Sequence, residues 1–283
     1  MRTSLKFTFA VLSLFAVGTL AACGNSAASN SKNSNKTSIV IATDGSTKPF
    51  DYTDGQGNLT GYDIEVARAV FKKLPEYNVK FQVVDFSGIA PGIDSGRYQM
   101  GANDFGWTAQ RAQSYNFSYP LSKSNNAVLV KSGTYHSLAD LAGKSTIGNP
   151  ASNYTKEIQD WNTAHPDKKI ILNYSSDSTS INTRFLQVES GKIDFMLYDK
   201  ISLESSIKDQ GFGDLKIEDI NDNTGDPQHD GYEYFLFGKD AQGQELKTKV
   251  DKVLAELQSD GTLAKLSEKY LGGNFVPKPE MFK

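Results

Sequence analysis

From residue 38 onward, short apolar runs alternate with stretches of helical period. Ile39-Val40-Ile41-Ala42 is an unbroken apolar run closed by Asp44-Gly45, which predicts a buried strand ending in a turn. Pro49 and the cluster Asp54-Gly55-Gln56-Gly57-Asn58 predict a turn-rich hairpin. Over 62–74 the residues Ile64, Ala67, Phe71 and Leu74 share one helical face, with Asp63 and Glu65 near the positive N-terminus. Strands are predicted at 79–85, 98–103 and 126–131. The pattern then restarts with a strand at 146–148, a helix at 153–164, a strand at 170–174, a helix to 190 and a strand at 195–198. Another helix and strand follow, and after Asp226-Pro227 comes an aromatic strand at 232–237. Leu246, Val250, Val253, Leu254 and Leu257 make a helical stripe that stops at Asp260-Gly261, before a last helix at 263–271. Such alternation predicts an α/β fold with largely parallel strands, in two halves of normal domain size.

The chain before residue 38 has another character. Arg2 and Lys6 precede an apolar run, 7–22, interrupted only by Thr8, Ser13, Gly18 and Thr19. That run is short for a membrane span, which needs roughly 20 residues, and its basic start fits a secretory signal peptide over 1–22. It ends Leu20-Ala21-Ala22-Cys23-Gly24, which resembles the lipobox of bacterial lipoproteins, where the cysteine sulfur carries the lipid. The expectation is a lipidated N-terminus at Cys23 and a Gly/Asn/Ser/Ala/Lys-rich flexible linker over 23–37. The folded part would then stand outside the membrane, tethered in the Gram-positive manner.

Composition narrows the function classes. Thirty basic and 33 acidic residues give a net charge of −3, and loss of 1–22 removes Arg2 and Lys6 alone, leaving 28 against 33, or −5. That balance gives no electrostatic case for nucleic acid. One cysteine forms no disulfide framework, and His136, His165 and His229 are too scattered to suggest a zinc site. No cofactor or metal is expected.

Several stretches carry a resemblance. Gly61-Tyr62-Asp63-Ile64-Glu65-Val66-Ala67, Pro91-Gly92-Ile93-Asp94-Ser95-Gly96-Arg97-Tyr98 and Thr108-Ala109-Gln110-Arg111 occur in that order. Tyr115-Asn116-Phe117-Ser118-Tyr119-Pro120, Gly191-Lys192-Ile193-Asp194 with Asp199, and Asp260-Gly261-Thr262-Leu263 follow. Together, over about 38–275, they resemble the polar amino-acid family of bacterial extracellular solute-binding proteins, the receptors of ABC importers. The resemblance implies a two-lobed venus-flytrap, the periplasmic-binding-protein fold of type II, with two crossing hinge strands. Lobe I would comprise 38–130 and 232–283, and lobe II 131–231, with crossings near Val130-Lys131 and Gly231-Tyr232. It also implies a monomer that binds a free amino acid in the cleft and serves a permease and an ATPase.

A free amino acid presents a carboxylate and an ammonium on one carbon. The carboxylate calls for a planar bidentate donor, and Arg111 falls at the family's carboxylate-binding arginine. Amides at a helix start also favour a carboxylate, and Ser152, Asn153 and Tyr154 occupy that lobe II position, with Ser152 where the family usually has glycine. Asp199 sits at the family's ammonium-binding acid. Asn103, Asp104 and Gly106 match positions that offer carbonyls, amides and short side chains, and Phe86 falls where an aromatic wall is usual. Asp44 would face the far end of the ligand, Thr47 stands where many relatives carry a second aromatic, and Trp107 either lines the cleft or packs. Bland alternatives are a solvated helix arginine for Arg111, a helix cap for Asp199 and a core aromatic for Phe86.

Asp44, Asp104 and Asp199 against Arg111 leave the cleft net acidic, which opposes an anionic side chain and favours a second ammonium. The expected ligand is cystine or a basic amino acid. A sensor or adhesin lipoprotein with the same fold is the first alternative, and an enzyme such as a dehydratase the second. Against an enzyme stands the lack of any Ser-His-Asp ordering in the sequence.

Overall fold

A computed structural model of the chain describes residues 36–177, 179–220 and 228–283. The signal segment, Cys23, all but the end of the linker, and Asp226-Pro227 lie outside the described residues. Thr37, the last linker residue, already opens β1 (Thr37–Thr43), where Ile39, Ile41 and Ala42 are driven out of water. A small meander, β2 (Ser46–Thr47), β3 (Asp51–Thr53) and β4 (Leu59–Thr60), replaces the hairpin predicted from the turn residues. Then come α1 (Tyr62–Lys72), β5 (Tyr77–Val83), α2 (Phe86–Asp94) and β6 (Met100–Gly106). A short turn of helix, α3 (Ala109–Ser114), leads into β7 (Tyr115–Phe117), β8 (Ser122–Lys123) and β9 (Asn126–Val130).

The second half runs β10 (Ser145–Gly148), α4 (Asn153–Ala164), β11 (Ile171–Tyr174), α5 (Ile181–Glu189) and β12 (Phe195–Asp199). It continues with α6 (Lys200–Gln210) and β13 (Lys216–Asp219), and the chain closes with β14 (Tyr232–Gly238), α7 (Ala241–Ser259) and α8 (Thr262–Leu271).

Two lobes result. In the first, the sheet order β5-β1-β6-β14-β7, with β8 on β14, mixes strands from both ends of the chain. Its core does the same: Ile39, Phe50 and Tyr62 pack with Phe235, Leu254 and Phe282. The second lobe is built on β12-β9-β13 and β10-β11 around Val128, Phe185, Phe195 and Leu197.

Three expectations are corrected. Among the described residues strand β9 pairs with β12 and β13 alone, so the first crossing lies at Ser124-Asn125 rather than near Val130-Lys131. The apolar run Ala127–Val130 reads equally well as the end of one domain or the start of the next, and only its partners decide. Nor are the strands largely parallel. β1/β5, β1/β6 and β10/β11 are parallel, but β9 and β14 pair antiparallel with all their neighbours. Both strands lead directly from a crossing, so they enter their sheets from the hinge side, against the direction of their neighbours. Finally, 86–94 forms a helix despite Pro91. The hydrogen bond that Pro91 cannot make falls on the carbonyl of Ser87, which stands at an exposed position.

At the hinge the two crossing segments touch. The Ser124 amide donates to the Gly231 carbonyl at 2.8 Å. Gly231 has φ 71°, and a Cβ there would lie 1.9 Å from the Ser124 carbonyl oxygen. Glycine is thus required on two grounds, conformation and space.

Candidate functional site

The first lobe builds one wall of the cleft from the ends of adjacent strands. Because β1 and β6 run side by side, Asp44, just past β1, meets Asn103 within β6. The Asp44 amide donates to Asn103 Oδ1, and Asn103 Nδ2 donates back to Asp44 Oδ2 at 3.3 Å. Asp44 Oδ1 accepts from the Ser46 amide at 2.7 Å and from the Thr47 hydroxyl at 3.3 Å. Behind them Asp51 is fully buried and accepts from the Thr43 hydroxyl at 2.6 Å. Burial, reinforced by the charges of Asp44 and Asp63, raises the Asp51 carboxyl well above the usual range. Phe86 opens α2 half-buried and stacks on Phe105 with ring centres 5.5 Å apart.

Deeper in the same lobe lies a trio of acids. Asp104 has φ 46°, a left-handed conformation that aspartate tolerates better than most residues. The turned backbone points its amide at Asp63 Oδ2, at 2.8 Å. Asp63, in the first turn of α1, is buried, and its carboxyl contacts that of Glu233 on β14. Neither Glu233 oxygen has a hydrogen-bond donor, and Asp63 Oδ1 and Asp104 Oδ2 are buried without one. Carboxylates so placed coexist only if they hold protons between them. Burial is the leading cause throughout, and it lifts Asp63 to about 6 and Asp104 and Glu233 well above their ordinary values.

Arg111 belongs to α3, where the Thr108 hydroxyl caps the helix by accepting from the Arg111 amide at 3.0 Å. Its guanidinium reaches out of the helix and across the cleft. It donates to the Gly106 carbonyl of one lobe and to the Ala151 carbonyl of the other, each at 2.7 Å, and lies over the Phe105 ring. Desolvation pulls it down to about 10, opposed by Tyr154, Asp104 and Tyr115, so it stays cationic at neutral pH.

The second lobe answers with helix starts. Ser152 precedes α4 without a side-chain cap, and Asn153 and Tyr154 are its first residues. Gly106 gives Asn153 room, since a Cβ there would lie 2.7 Å from Asn153 Nδ2. Asp199 ends β12 and caps α6, its Oδ1 accepting from the Ser202 amide at 2.7 Å. The capping role and a site role are compatible, because its other oxygen, Oδ2, is buried without a partner. Burial holds Asp199 up at about 6.

The cleft has two compartments that share Asp104, Asn153 and Tyr154. A front compartment of about 50 Å³ is lined by Asp44, Phe86, Asn103 and Ser152, with Thr47. A hinge-side compartment of about 360 Å³ is lined by Gly106, Asp199 and Trp107, which stacks on His229 with ring centres 4.5 Å apart. Arg111 bridges the lobes beside them, close to Asp104 and Tyr154, which line both. The ten residues singled out in the sequence thus gather around one cleft. Sequence reasoning missed Glu233, Asp230, Asp177 and Arg184. Glu233 had a usable signal, as an acid inside the aromatic run Tyr232–Phe237; the others had none.

Comparison with known proteins follows this geometry. The profile of the bacterial extracellular solute-binding proteins, family 3, matches residues 39–273. "Probable amino-acid-binding protein YxeM" of Bacillus subtilis is 33% identical over 263 residues, 92% of each chain. The L-cystine-binding protein TcyJ of Bacillus subtilis is 29% identical, over 89% of this chain and 91% of its own. A similar structure comes from work on glutathione import in Gram-positive bacteria via GshT and the cystine ABC importer TcyBC of Streptococcus mutans. It superposes with a TM-score of 0.80 at 37% identity, covering 87% of this chain and 99% of that one.

Proposed function

The chain belongs to the bacterial extracellular solute-binding proteins, family 3, and from that premise we propose that it is the receptor of an amino-acid ABC importer. In this reading it is a monomer, anchored outside the cell membrane by lipid on Cys23, that holds a free amino acid between its lobes and hands it to the permease. The observation that carries the reading is the convergence of one cross-lobe cation, Arg111, with the unpartnered buried oxygens of Asp104 and Asp199. A ligand carboxylate is a stronger acceptor than the two carbonyls Arg111 now serves, and a ligand ammonium supplies the donors the acids lack. Such a site binds and releases its ligand unaltered, so the chain is read as a binder and not an enzyme.

Acidic walls favour a ligand with two amino groups, cystine or a basic amino acid, and the L-cystine-binding relatives support that choice. Glutathione is the second reading, because the structure at TM-score 0.80 belongs to a study of its import. Its length needs the larger compartment, but its two carboxylates and one ammonium suit acidic walls poorly.

A thermal-shift screen with the common amino acids, cystine and glutathione tests the reading. At 100 times its dissociation constant a ligand stabilises the fold by about 2.7 kcal/mol. A single strong responder, lost in Arg111→Ala and recovered unaltered from the complex, supports it. No responder among them refutes it.

A further inference from the structure

A groove of about 680 Å³ lies behind the hinge, outside the ligand cleft. Ser124 and Tyr232, on the two crossing segments, line both this groove and the hinge-side compartment, so the crossings form the wall between them. Each lobe supplies one lip. On the first lobe it is the C-terminal tail that follows α8. The Phe275 amide donates to the Ser267 hydroxyl at 2.8 Å, the Phe275 carbonyl accepts from the Lys123 amide at 2.9 Å, and Phe282 is buried beside Tyr119. Those contacts make the tail a fixed part of its lobe. On the second lobe the lip is the first turn of α6. The Lys200 amide donates to the Asn125 carbonyl at 2.9 Å, and Ile201 is buried in the first lobe's core, so α6 starts at the pivot itself. Glu204, one turn further along α6, moves with the second lobe.

Rotation about two crossing strands moves the two sides of the hinge in opposite senses, so opening the cleft narrows the groove. Arg111, Ser87 and Lys48 draw the lobes together here, and the groove stands open. Glu204 stands on one lip and Lys278 on the other; both are exposed, and among the described residues neither makes an ion pair. The neighbouring cations are occupied, Lys200 by Asp219 at 2.9 Å and Lys123 over the Tyr232 ring at 4.8 Å.

We propose that the groove is a latch for the ligand-free state: as the cleft opens, α6 swings onto the tail and Glu204 pairs with Lys278. A pair formed only in the open form raises that form's population and lowers the apparent affinity for whatever closes the cleft. The latch rests on the receptor reading above in one respect, that the cleft opens and closes, and does not depend on which amino acid binds.

A double-mutant cycle over Glu204→Gln and Lys278→Gln tests the pair, by calorimetric titration of the purified chain with L-cystine. Each single change should tighten binding about two- to fivefold, the range of an exposed ion pair, and the double change should add nothing to either. Small-angle scattering supplies a second reading that needs no ligand. Glu204→Trp puts an indole into the groove, and its ligand-free profile should shift from that of the unaltered chain towards the one calculated from the present structure. Additive effects, weaker binding or unchanged affinity in the single variants overturn the pair. An unshifted Glu204→Trp profile overturns the latch, as does an unaltered chain whose ligand-free profile already matches the present structure. If the unaltered chain does not bind L-cystine, the choice of ligand fails by itself and the scattering alone decides the latch.

Discussion

The two lobes contribute to one cleft by different means. In the first, site groups hold one another: Asp44 with Asn103, Asp51 with Thr43, Asp63 with the Asp104 amide and with Glu233. In the second, groups are placed by helix starts, with Asn153 opening α4, Ser180 capping α5 and Asp199 capping α6. Among the described residues, few side chains tie the lobes together. Arg111 reaches Ala151, the Ser87 hydroxyl donates to Asp177 at 2.5 Å, and Lys48 pairs with Asp209. The difference teaches a division of labour. A lobe that fixes its polar groups in the absence of ligand loses little freedom on binding, while light cross-lobe contacts keep closure reversible.

The harshest way to break this comparison is to remove the group that serves both lobes. Arg111→Ala should weaken ligand binding by about a hundredfold, roughly the 3 kcal/mol of a bidentate charge-assisted pair, as read by calorimetric titration. A loss under about threefold would mean that the carboxylate is held by backbone amides alone.

The next effect sharpens the contrast within the first lobe and depends on pH. Asp63, faced by Glu233 and the Asp104 amide, and Asp199, faced by Asp104, Tyr154, Tyr198 and the Ser202 amide, both stand at about 6. A raised carboxyl contributes stability that is complete below its unfolded value of about 3.9 and is lost as pH rises through its folded value. The ligand-free protein should therefore lose Tm between about pH 4 and pH 6, in a series of calorimetric scans. Ligand should shrink that loss, because its ammonium favours the ionised forms. Glu233→Gln gives Asp63 an amide donor and removes a like charge, so it should flatten the ligand-free curve and raise Tm at pH 8 by a few degrees. A steeper curve in that variant would contradict the shared-proton arrangement.

The smallest effect lies at the cross-lobe tie. Ser87→Ala removes one exposed hydrogen bond to Asp177, a contribution of about 0.5–1.5 kcal/mol, and should loosen binding by about two- to tenfold through faster release. Stopped-flow dissociation checks it. An unchanged release rate would leave closure to Arg111, Lys48 and the Ser87 amide, which also donates to Asp177.

Much of this was legible in the sequence, and where legibility failed the cause can be named. Strand β1 and helices α1, α4 and α7 follow from apolar spacing, since their buried faces are set by residues within one element. The placement of β9 in the second lobe was not legible, because Ala127–Val130 is buried on all sides and its run carries no mark of which sheet will cover it. Asp199 was found through its place after an apolar strand. Glu233 was not, though a charge in a buried strand is the kind of conflict that marks a site.

The sequence by itself determined the element types, the order of motifs that places the chain in its family, and the residue types able to take a carboxylate and an ammonium. Those properties depend on local spacing and on side-chain chemistry, which the linear order carries. Tertiary structure alone decided which strands belong to which lobe, that Asp63, Asp104 and Glu233 come together in the buried interior, and that the larger compartment of the cleft lies beside the hinge. These depend on contacts between residues far apart in the chain, 170 positions in the case of Asp63 and Glu233, and no local pattern encodes which distant carboxyl will face which.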